Sequence, residues 1–322
     1  MQDKEEQDLK NLIEKQLHLE ISHIERIHGG LVHYVYRIET QDKSIFAKIR
    51  KAHYSELPRI PTQPELIEHE KAALEIVSKL EPHIFPQLLA YLPKQHLLLL
   101  SDIMPERVTL ETRLNTNTAT QKEIYELGKI VAIIHKKLSK IKVIIREEGD
   151  EAFYNKLLYY RFGYQQEPIL NELITTLKTL PKQLILGDLS PKNIGIASKY
   201  KFTICDLENF HSGNTITDVG FLGANVLIHT INNSALAYKL LIAFLRGYSS
   251  EEKMDIKDIN LKRVVLGIAL YRIENPVMPY AIPITSKGRA MKAFKIKQVL
   301  SNNKISWLEI VNAITFNRNH EN

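Results

Sequence analysis

The sequence predicts an α+β fold in which a small strand-rich amino-terminal part precedes a larger, mostly helical carboxy-terminal part. Between Leu31 and Arg50, apolar residues alternate in short runs, as in strands that pack on one face. Beyond Leu222, nearly every apolar pattern has helical spacing instead. A chain of 322 residues can bury roughly 75% of its surface, enough for one large domain or two modest lobes.

The amino-terminal part begins with a helix, predicted from about Asp3 to Leu19 by its apolar spacing. Alternation then predicts a strand from Leu31 to Glu39 and another from Ser44 to Arg50. One face of the second strand is apolar, and successive strand residues point to opposite faces. Lys48 must therefore leave the sheet from the other face, together with Phe46 and Arg50.

A helix and a buried strand complete this part. The helix is predicted from Glu65 to Leu80, after a loop closed by two prolines, and it includes Glu70. The apolar run His96–Leu100 predicts a buried strand, and Ser101-Asp102-Ile103-Met104-Pro105 breaks it. We expect a hinge at this break.

The carboxy-terminal part opens with a helix that has a capping box, Thr120 with Glu123, and a continuous apolar stripe. His135 lies on that stripe, which predicts a buried structural histidine. Further helical patterns lie at Phe153–Tyr160, Ile169–Leu180, Ala235–Leu245, Leu261–Tyr271 and Ile305–Thr315.

Composition excludes several classes of protein. The polar amino terminus has no secretory pattern, and no apolar run approaches the ~18 residues of a membrane span. Cys205 is the only cysteine, so no disulfide can form within the chain. Together with the short apolar runs, this predicts a cytoplasmic protein without a membrane partner. The net charge of +6 suits anionic ligands. The basic segment 287–297 is interpreted as a helix with a solvated face rather than a nucleic-acid contact.

The most informative passage is Gly187-Asp188-Leu189-Ser190-Pro191-Lys192-Asn193. An Asp and an Asn five residues apart would not share a face of an α-helix, so the spacing indicates a loop. Short apolar runs on either side of a polar turn, Ile194–Ala197 and Phe202–Cys205, predict a β-hairpin. That hairpin would return the chain at Asp206 to the vicinity of Asn193.

This passage, up to Asp206-Leu207-Glu208, resembles the aminoglycoside phosphotransferase and choline kinase family, with some likeness to methylthioribose kinase. The resemblance implies a protein-kinase-like two-lobed fold. A small β-rich N-lobe would occupy residues 1–100, a hinge residues 101–106 and a larger helical C-lobe residues 107–322.

The resemblance also implies phosphoryl transfer from ATP or GTP to the hydroxyl of a small molecule. Asp188 would orient that hydroxyl and accept its proton. Mg²⁺ prefers hard oxygen ligands, which Asn193 and Asp206 would supply. The implied nucleotide-binding residues are Gly29, Gly30, Lys48, Glu70, Ser101 and Ile103, and Asp218 would brace the catalytic loop.

One departure from the family pattern is Leu186, which stands where a histidine usually precedes Gly-Asp. Two alternatives stay open: a catalytically weak or inactive nucleotide-binding regulator on the same fold, and a kinase that acts on a macromolecule. The sequence does not identify the acceptor. A basic chain disfavours polycationic aminoglycosides, which leaves small alcohols, sugars and amino alcohols.

Overall fold

The computed structural model describes residues 2–28, 30–104, 106–146, 149–198, 200–275, 282 and 284–316. It shows the predicted α+β architecture, with a small antiparallel sheet and a larger helical part. The chain forms two compact units. The first comprises Met1–Arg107 and Thr203–Glu208, and the second comprises Val108–Phe202 and Asn209–Asn322.

The first unit contains a five-stranded antiparallel sheet with the strand order β1-β2-β3-β5-β4. Two helices accompany the sheet. The elements are α1 (Gln2–Leu17), β1 (Ile21–Ile27), β2 (Tyr34–Thr40), β3 (Ser44–Ile49), α2 (Ile67–Leu80), β4 (Leu88–Leu92) and β5 (Leu97–Ser101).

The hydrophobic core of this unit lies between α1 and one face of the sheet. Leu9 and Ile13 of α1 are buried in a cluster with strand residues that include Ile38, Ile45 and Leu99. Burial of such apolar side chains, at about 25 cal/mol per Å², fixes which face of each strand points inward. The predicted strands and helices are confirmed, but the sequence did not predict β1 or β4, the two edge strands.

The second unit is mostly helical, as predicted. Its helices are α3 (Leu110–Asn115), α4 (Gln121–Leu138), α5 (Asp150–Leu158), α6 (Pro168–Thr179), α7 (Thr215–His229), α8 (Ser234–Glu251), α9 (Ile259–Glu274), α10 (Ser286–Leu300) and α11 (Trp307–Ile314). Two short ribbons accompany them. One pairs β6 (Gln183–Ile185) with β9 (His211–Gly213), and the other pairs β7 (Ile194–Ser198) with β8 (Lys201–Ile204).

Helices α4 and α8 pack closely because each has a glycine at the crossing. A Cβ on Gly128 would lie 2.3 Å from the carbonyl oxygen of Phe244, and one on Gly247 would lie 2.0 Å from that of Tyr125. The predicted capping box of α4 is confirmed, since Thr120 and Glu123 exchange side-chain and backbone hydrogen bonds.

Helix α10 confirms the helical interpretation of the basic segment, and its basic face is solvated only in part: Lys287 and Lys295 are exposed, whereas Lys292 is buried. Lys292 is 1% exposed, and its ammonium donates to the carbonyl of Thr315. Lys297 pairs with Glu167 at 3.2 Å and with Glu274 at 3.0 Å. A long lysine stem can be buried in apolar surroundings when its charged end finds a partner, which a charge count does not predict. Within the described part of the chain, no helix has the length and apolar character needed to cross a membrane.

Candidate active site

Lys48 lies in the middle of the sheet of the first unit. On β3 it faces Val35 of β2 and Leu98 of β5. Because side chains alternate between faces, Lys48 leaves the sheet opposite to Ala47, which belongs to the core cluster with α1. The predicted direction of Lys48 is confirmed, and only 9% of its side chain is exposed.

The Lys48 ammonium contacts two carboxylates of the same unit. Its Nζ donates to Oε1 of Glu70 at 2.8 Å and to Oδ1 of Asp206 at 2.7 Å. Oε1 of Glu70 also accepts the backbone N–H of Leu207 at 3.2 Å. The predicted pairing of Lys48 with Glu70 is confirmed, and Asp206 shares the same ammonium.

Opposite charges keep this buried lysine protonated. Burial alone lowers the pKa of the Lys48 ammonium, but the carboxylates of Asp206 and Glu70 outweigh it, so the pKa lies above its ordinary value. Burial raises the pKa of the Glu70 carboxyl, and the Lys48 ammonium opposes that rise. The Lys48 ammonium and the two carboxylates therefore stabilise one another's charged forms.

Three further residues extend the cluster within the first unit. The Nδ1 atom of His33 lies 3.4 Å from Oε2 of Glu208, and a guanidinium nitrogen of Arg50 lies 3.7 Å from the same oxygen. Burial and then the charge of Asp206 raise the pKa of Glu208 to about 8. Sequence reasoning gave no role to Arg50 or Glu208. The signal was present, because Arg50 shares a strand face with Lys48.

Asp206 suits a divalent cation by its chemistry and exposure. A nitrogen of His33 and carboxylate oxygens of Glu70 and Asp206 lie within 4.8 Å of one another, but the Lys48 ammonium already contacts both carboxylates. A quarter of the Asp206 side chain is exposed. Its backbone has a φ of +66°, a left-handed conformation that Asp tolerates better than most residues. A hard carboxylate oxygen in this setting fits Mg²⁺.

The glycine turn and the hinge segment also belong to the first unit. Gly29 and Pro105 lie outside the described residues, and a Cβ on Gly30 would meet only ordinary contacts, at 3.7 Å or more. After β5, Asp102 accepts the amide of Met104 at 2.8 Å and the hydroxyl of Ser44. The Asp102 side chain thus links the backbone that follows Ile103 to the start of β3.

In the second unit, the pairing of β6 with β9 positions the loop that contains Asp188. Ile185 pairs with His211, and the loop follows directly. Gly187 has a φ of +80°, and a Cβ there would lie 1.9 Å from the carbonyl oxygen of Asn209. Only glycine fits this position without a shift of the backbone.

Asp218 braces the same loop, as predicted. Its carboxylate accepts the amides of Leu186 at 2.8 Å and Gly187 at 2.9 Å. Nε2 of His135 lies 3.1 Å from Asp218, and Nδ1 of His135 lies 2.8 Å from the hydroxyl of Tyr248. All of these groups are buried, and buried polar groups with complete hydrogen bonding hold a backbone firmly. His135 is thus confirmed as a structural histidine.

Asp188 and Asn193 bracket a tight turn. The hydroxyl of Ser190 donates to Oδ1 of Asp188 at 2.7 Å, and the amide of Asn193 donates to the carbonyl of Ser190 at 2.9 Å. Asp188 is partly exposed, whereas Asn193 is 5% exposed. The loop and the hairpin β7–β8 after it are confirmed.

By sequence, the family described as "Phosphotransferase enzyme family" matches residues 23–253. No curated protein matches the chain at the level of sequence.

Several solved structures share the fold. An amicoumacin kinase, solved in complex with AMP-PNP and Ca²⁺, is 15% identical over 98% of this chain and 97% of its own, with a TM-score of 0.58. A choline kinase from Streptococcus pneumoniae is 15% identical over 90% and 99%, with a TM-score of 0.57. A spectinomycin phosphotransferase is 16% identical over 96% and 93%, with a TM-score of 0.51.

Proposed function

The chain belongs to the phosphotransferase enzyme family, and from this premise we propose that it is a kinase that transfers the γ-phosphate of ATP or GTP to a hydroxyl of a small molecule. The acceptor class is a small alcohol, sugar or amino alcohol. Structures with the same fold include kinases named for amicoumacin, choline and spectinomycin, which are small molecules.

The observation that supports this proposal most directly is the contact of Lys48 with both Glu70 and Asp206. Phosphoryl transfer needs a fixed cation beside the phosphates and little covalent help from the protein. The Lys48 ammonium is held by both carboxylates near the end of β3. This pre-organised charge is of little use to a scaffold but suits a phosphate site.

In this proposal the nucleotide is bound by residues of the first unit. Lys48 contacts the α- and β-phosphates, and Glu70 orients the Lys48 side chain. The turn at Gly29 and Gly30 covers the phosphates. The carbonyl of Ser101 and the amide of Ile103 bond the adenine. Asp102 supports this segment, because its side chain accepts the amide of Met104, the residue after Ile103.

Asp188 orients the acceptor hydroxyl and accepts its proton, and Asn193 with Asp206 would hold Mg²⁺. When bound, the metal supplies charge neutralisation at the phosphates. Carboxylate and amide oxygens are the donors that Mg²⁺ prefers. The proposed lobes at 1–100 and 107–322, joined by a hinge at 101–106, would place these groups on the two sides of a nucleotide cleft.

The decisive experiment measures ADP or GDP release with Mg²⁺ across a panel of hydroxyl compounds that includes choline, spectinomycin and amicoumacin. We expect acceptor-dependent release with at least one compound. Asp188→Asn should lower the rate by about 10²–10⁴-fold, since it removes the base but leaves nucleotide binding intact.

Two outcomes would contradict the proposal. If neither ATP nor GTP with Mg²⁺ raises the melting temperature at millimolar concentration, the protein does not bind nucleotide as proposed. If nucleotide binds and Asp188→Asn has the same turnover as the natural sequence, Asp188 is not the base.

A further inference from the structure

The carbonyl of Gly187 has a buried partner that the sequence did not reveal. A guanidinium nitrogen of Arg161 donates to this carbonyl oxygen at 2.6 Å. Gly187 immediately precedes Asp188, and its amide is already bonded to Asp218. The two hydrogen bonds fix the peptide groups on both sides of the Gly187 Cα.

A local helical irregularity turns Arg161 inward. Residues Tyr159–Gly163 form a π-helical turn after α5, closed by the amide of Tyr164 and the carbonyl of Tyr159 at 3.1 Å. A Cβ on Gly163 would lie 2.6 Å from the ring of Tyr159, so glycine lets the turn close. Such turns insert one residue into a helix and frequently occur at functional sites.

The burial of Arg161 needs a reason. Arg161 is only 6% exposed, and the central carbon of its guanidinium lies 4.5 Å from the centre of the Phe221 ring. Among the described residues no carboxylate lies within 4.0 Å of it. Burying a cation is costly unless it forms strong hydrogen bonds. A charge-assisted bond to a backbone carbonyl is roughly twice as strong as a neutral one. Here that bond joins Arg161 to the loop of Asp188.

We infer that Arg161 is a positioning residue for Asp188. Arg161 fixes the carbonyl of Gly187, Asp218 fixes the amide, and the left-handed backbone between them directs Asp188. This role rests on the proposed function, in which Asp188 is the base. A shift of about 1 Å in a catalytic group can lower a rate by about 100-fold.

The test compares Arg161→Met and Arg161→Lys with Arg272→Met. Arg272 is equally buried in the second unit, but it lies near His229, at the end of α7 remote from Asp218. Two quantities are measured: hydrogen–deuterium exchange of the segment 184–190, and kcat per nucleotide-binding site. Normalising to binding sites removes the effect of unfolded protein.

We expect Arg161→Met to accelerate exchange in the segment 184–190 and to lower kcat per site roughly 10- to 100-fold, with the KM for ATP unchanged. Arg161→Lys should recover most of the loss, because an ammonium can donate to the same carbonyl. Arg272→Met should lower the melting temperature without either effect.

Unchanged exchange in Arg161→Met would overturn the inference, and so would an equal loss of kcat per site in Arg272→Met. If the natural protein phosphorylates no acceptor, the proposed function fails. The exchange of segment 184–190 then still decides whether Arg161 positions the loop.

Discussion

The two regions that contain Asp206 and Asp188 hold these carboxylates by different physical means. In the first unit, the Lys48 ammonium contacts both Asp206 and Glu70, so attraction between opposite charges holds the Asp206 carboxylate in place. In the second unit, the loop of Asp188 is fixed through its backbone, by the side chains of Asp218 and Arg161 around Gly187.

This difference predicts different weaknesses. A cluster of opposite charges fails when one charge is removed, because the remaining buried charges lose their partner. A loop fixed by close backbone contacts fails when volume is added, since a tightly packed interior has no space to accept it. Added volume at Gly187 therefore tests the second region, and loss of charge at Lys48 tests the first.

The largest effect is expected for Gly187→Ala. The new Cβ would lie 1.9 Å from the carbonyl of Asn209, and the φ of +80° is itself unfavourable for alanine. The backbone around Asp188 must shift, so we expect the free energy of unfolding to fall by about 3 kcal/mol and kcat by about 100-fold. Urea unfolding and steady-state kinetics measure the two effects.

Gly149→Ala is the matched control. Gly149 has nearly the same φ, +83°, but a Cβ there would meet nothing within 4 Å. Gly149→Ala should lower the free energy of unfolding only by the cost of alanine at this φ, about 1–3 kcal/mol, and should leave kcat unchanged. An unaltered kcat in Gly187→Ala would show that the close contact with Asn209 does not position the loop.

The next effect is the loss of charge in the first unit through Lys48→Met. It leaves Glu70 and Asp206 close together without the ammonium between them. Removing one partner of a buried ion pair costs about 3–5 kcal/mol, and partial protonation of the carboxylates places this variant near the lower figure. Urea unfolding at pH 7 without nucleotide measures the loss.

Lys71→Met tests whether burial causes that loss. Lys71 lies 2.8 Å from Glu75, the same distance as Lys48 from Glu70, but this pair is on the surface of α2. An exposed pair of this kind contributes about 0.3–0.5 kcal/mol. Equal losses in the two variants would mean that charge pairing does not hold the first cluster together.

Much of this arrangement could be predicted from the sequence. Alternation on β3 gave the direction of Lys48, and the helical stripe of α4 gave the burial of His135. Resemblance to known kinases added the pairing of Lys48 with Glu70 and the bracing role of Asp218. These are local patterns or short motifs, which a single sequence records directly.

The edge strands and Arg161 could not be predicted in this way. In β1, isoleucine recurs at every third position, at residues 21, 24 and 27, which is closer to a helical than to a strand period, and its register shifts near Ile21. A similar shift interrupts β4 between Leu88 and Ala90. Bulges at sheet edges disturb the alternation that identifies strands. Arg161 contacts a carbonyl 26 residues away, and only the folded chain shows that bond.

The smallest effect is the loss of stability at low pH, which again distinguishes the two regions. In contrast to Lys48, His211 beside the Asp188 loop is kept neutral: burial lowers its pKa to about 4. Between pH 6.5 and pH 4 the unfolded chain binds a proton at this residue and the folded chain does not. The stability that depends on neutral His211 is therefore complete above about pH 6.5 and is lost as pH falls toward 4, by up to about 1.4 kcal/mol per pH unit.

His211→Phe should remove this part of the pH dependence, because the ring contacts with Phe153 and Tyr154 can persist while the titrating group is gone. Urea unfolding at pH 7, 6 and 5 gives the slope of stability against pH, and the variant should show the shallower slope. His83→Phe, at an exposed position, should keep the slope of the natural sequence, because it leaves His211 and its buried surroundings in place. The same slope in His211→Phe and the natural sequence would show that His211 does not cause this part of the pH dependence, so burial would not be what keeps its imidazole neutral.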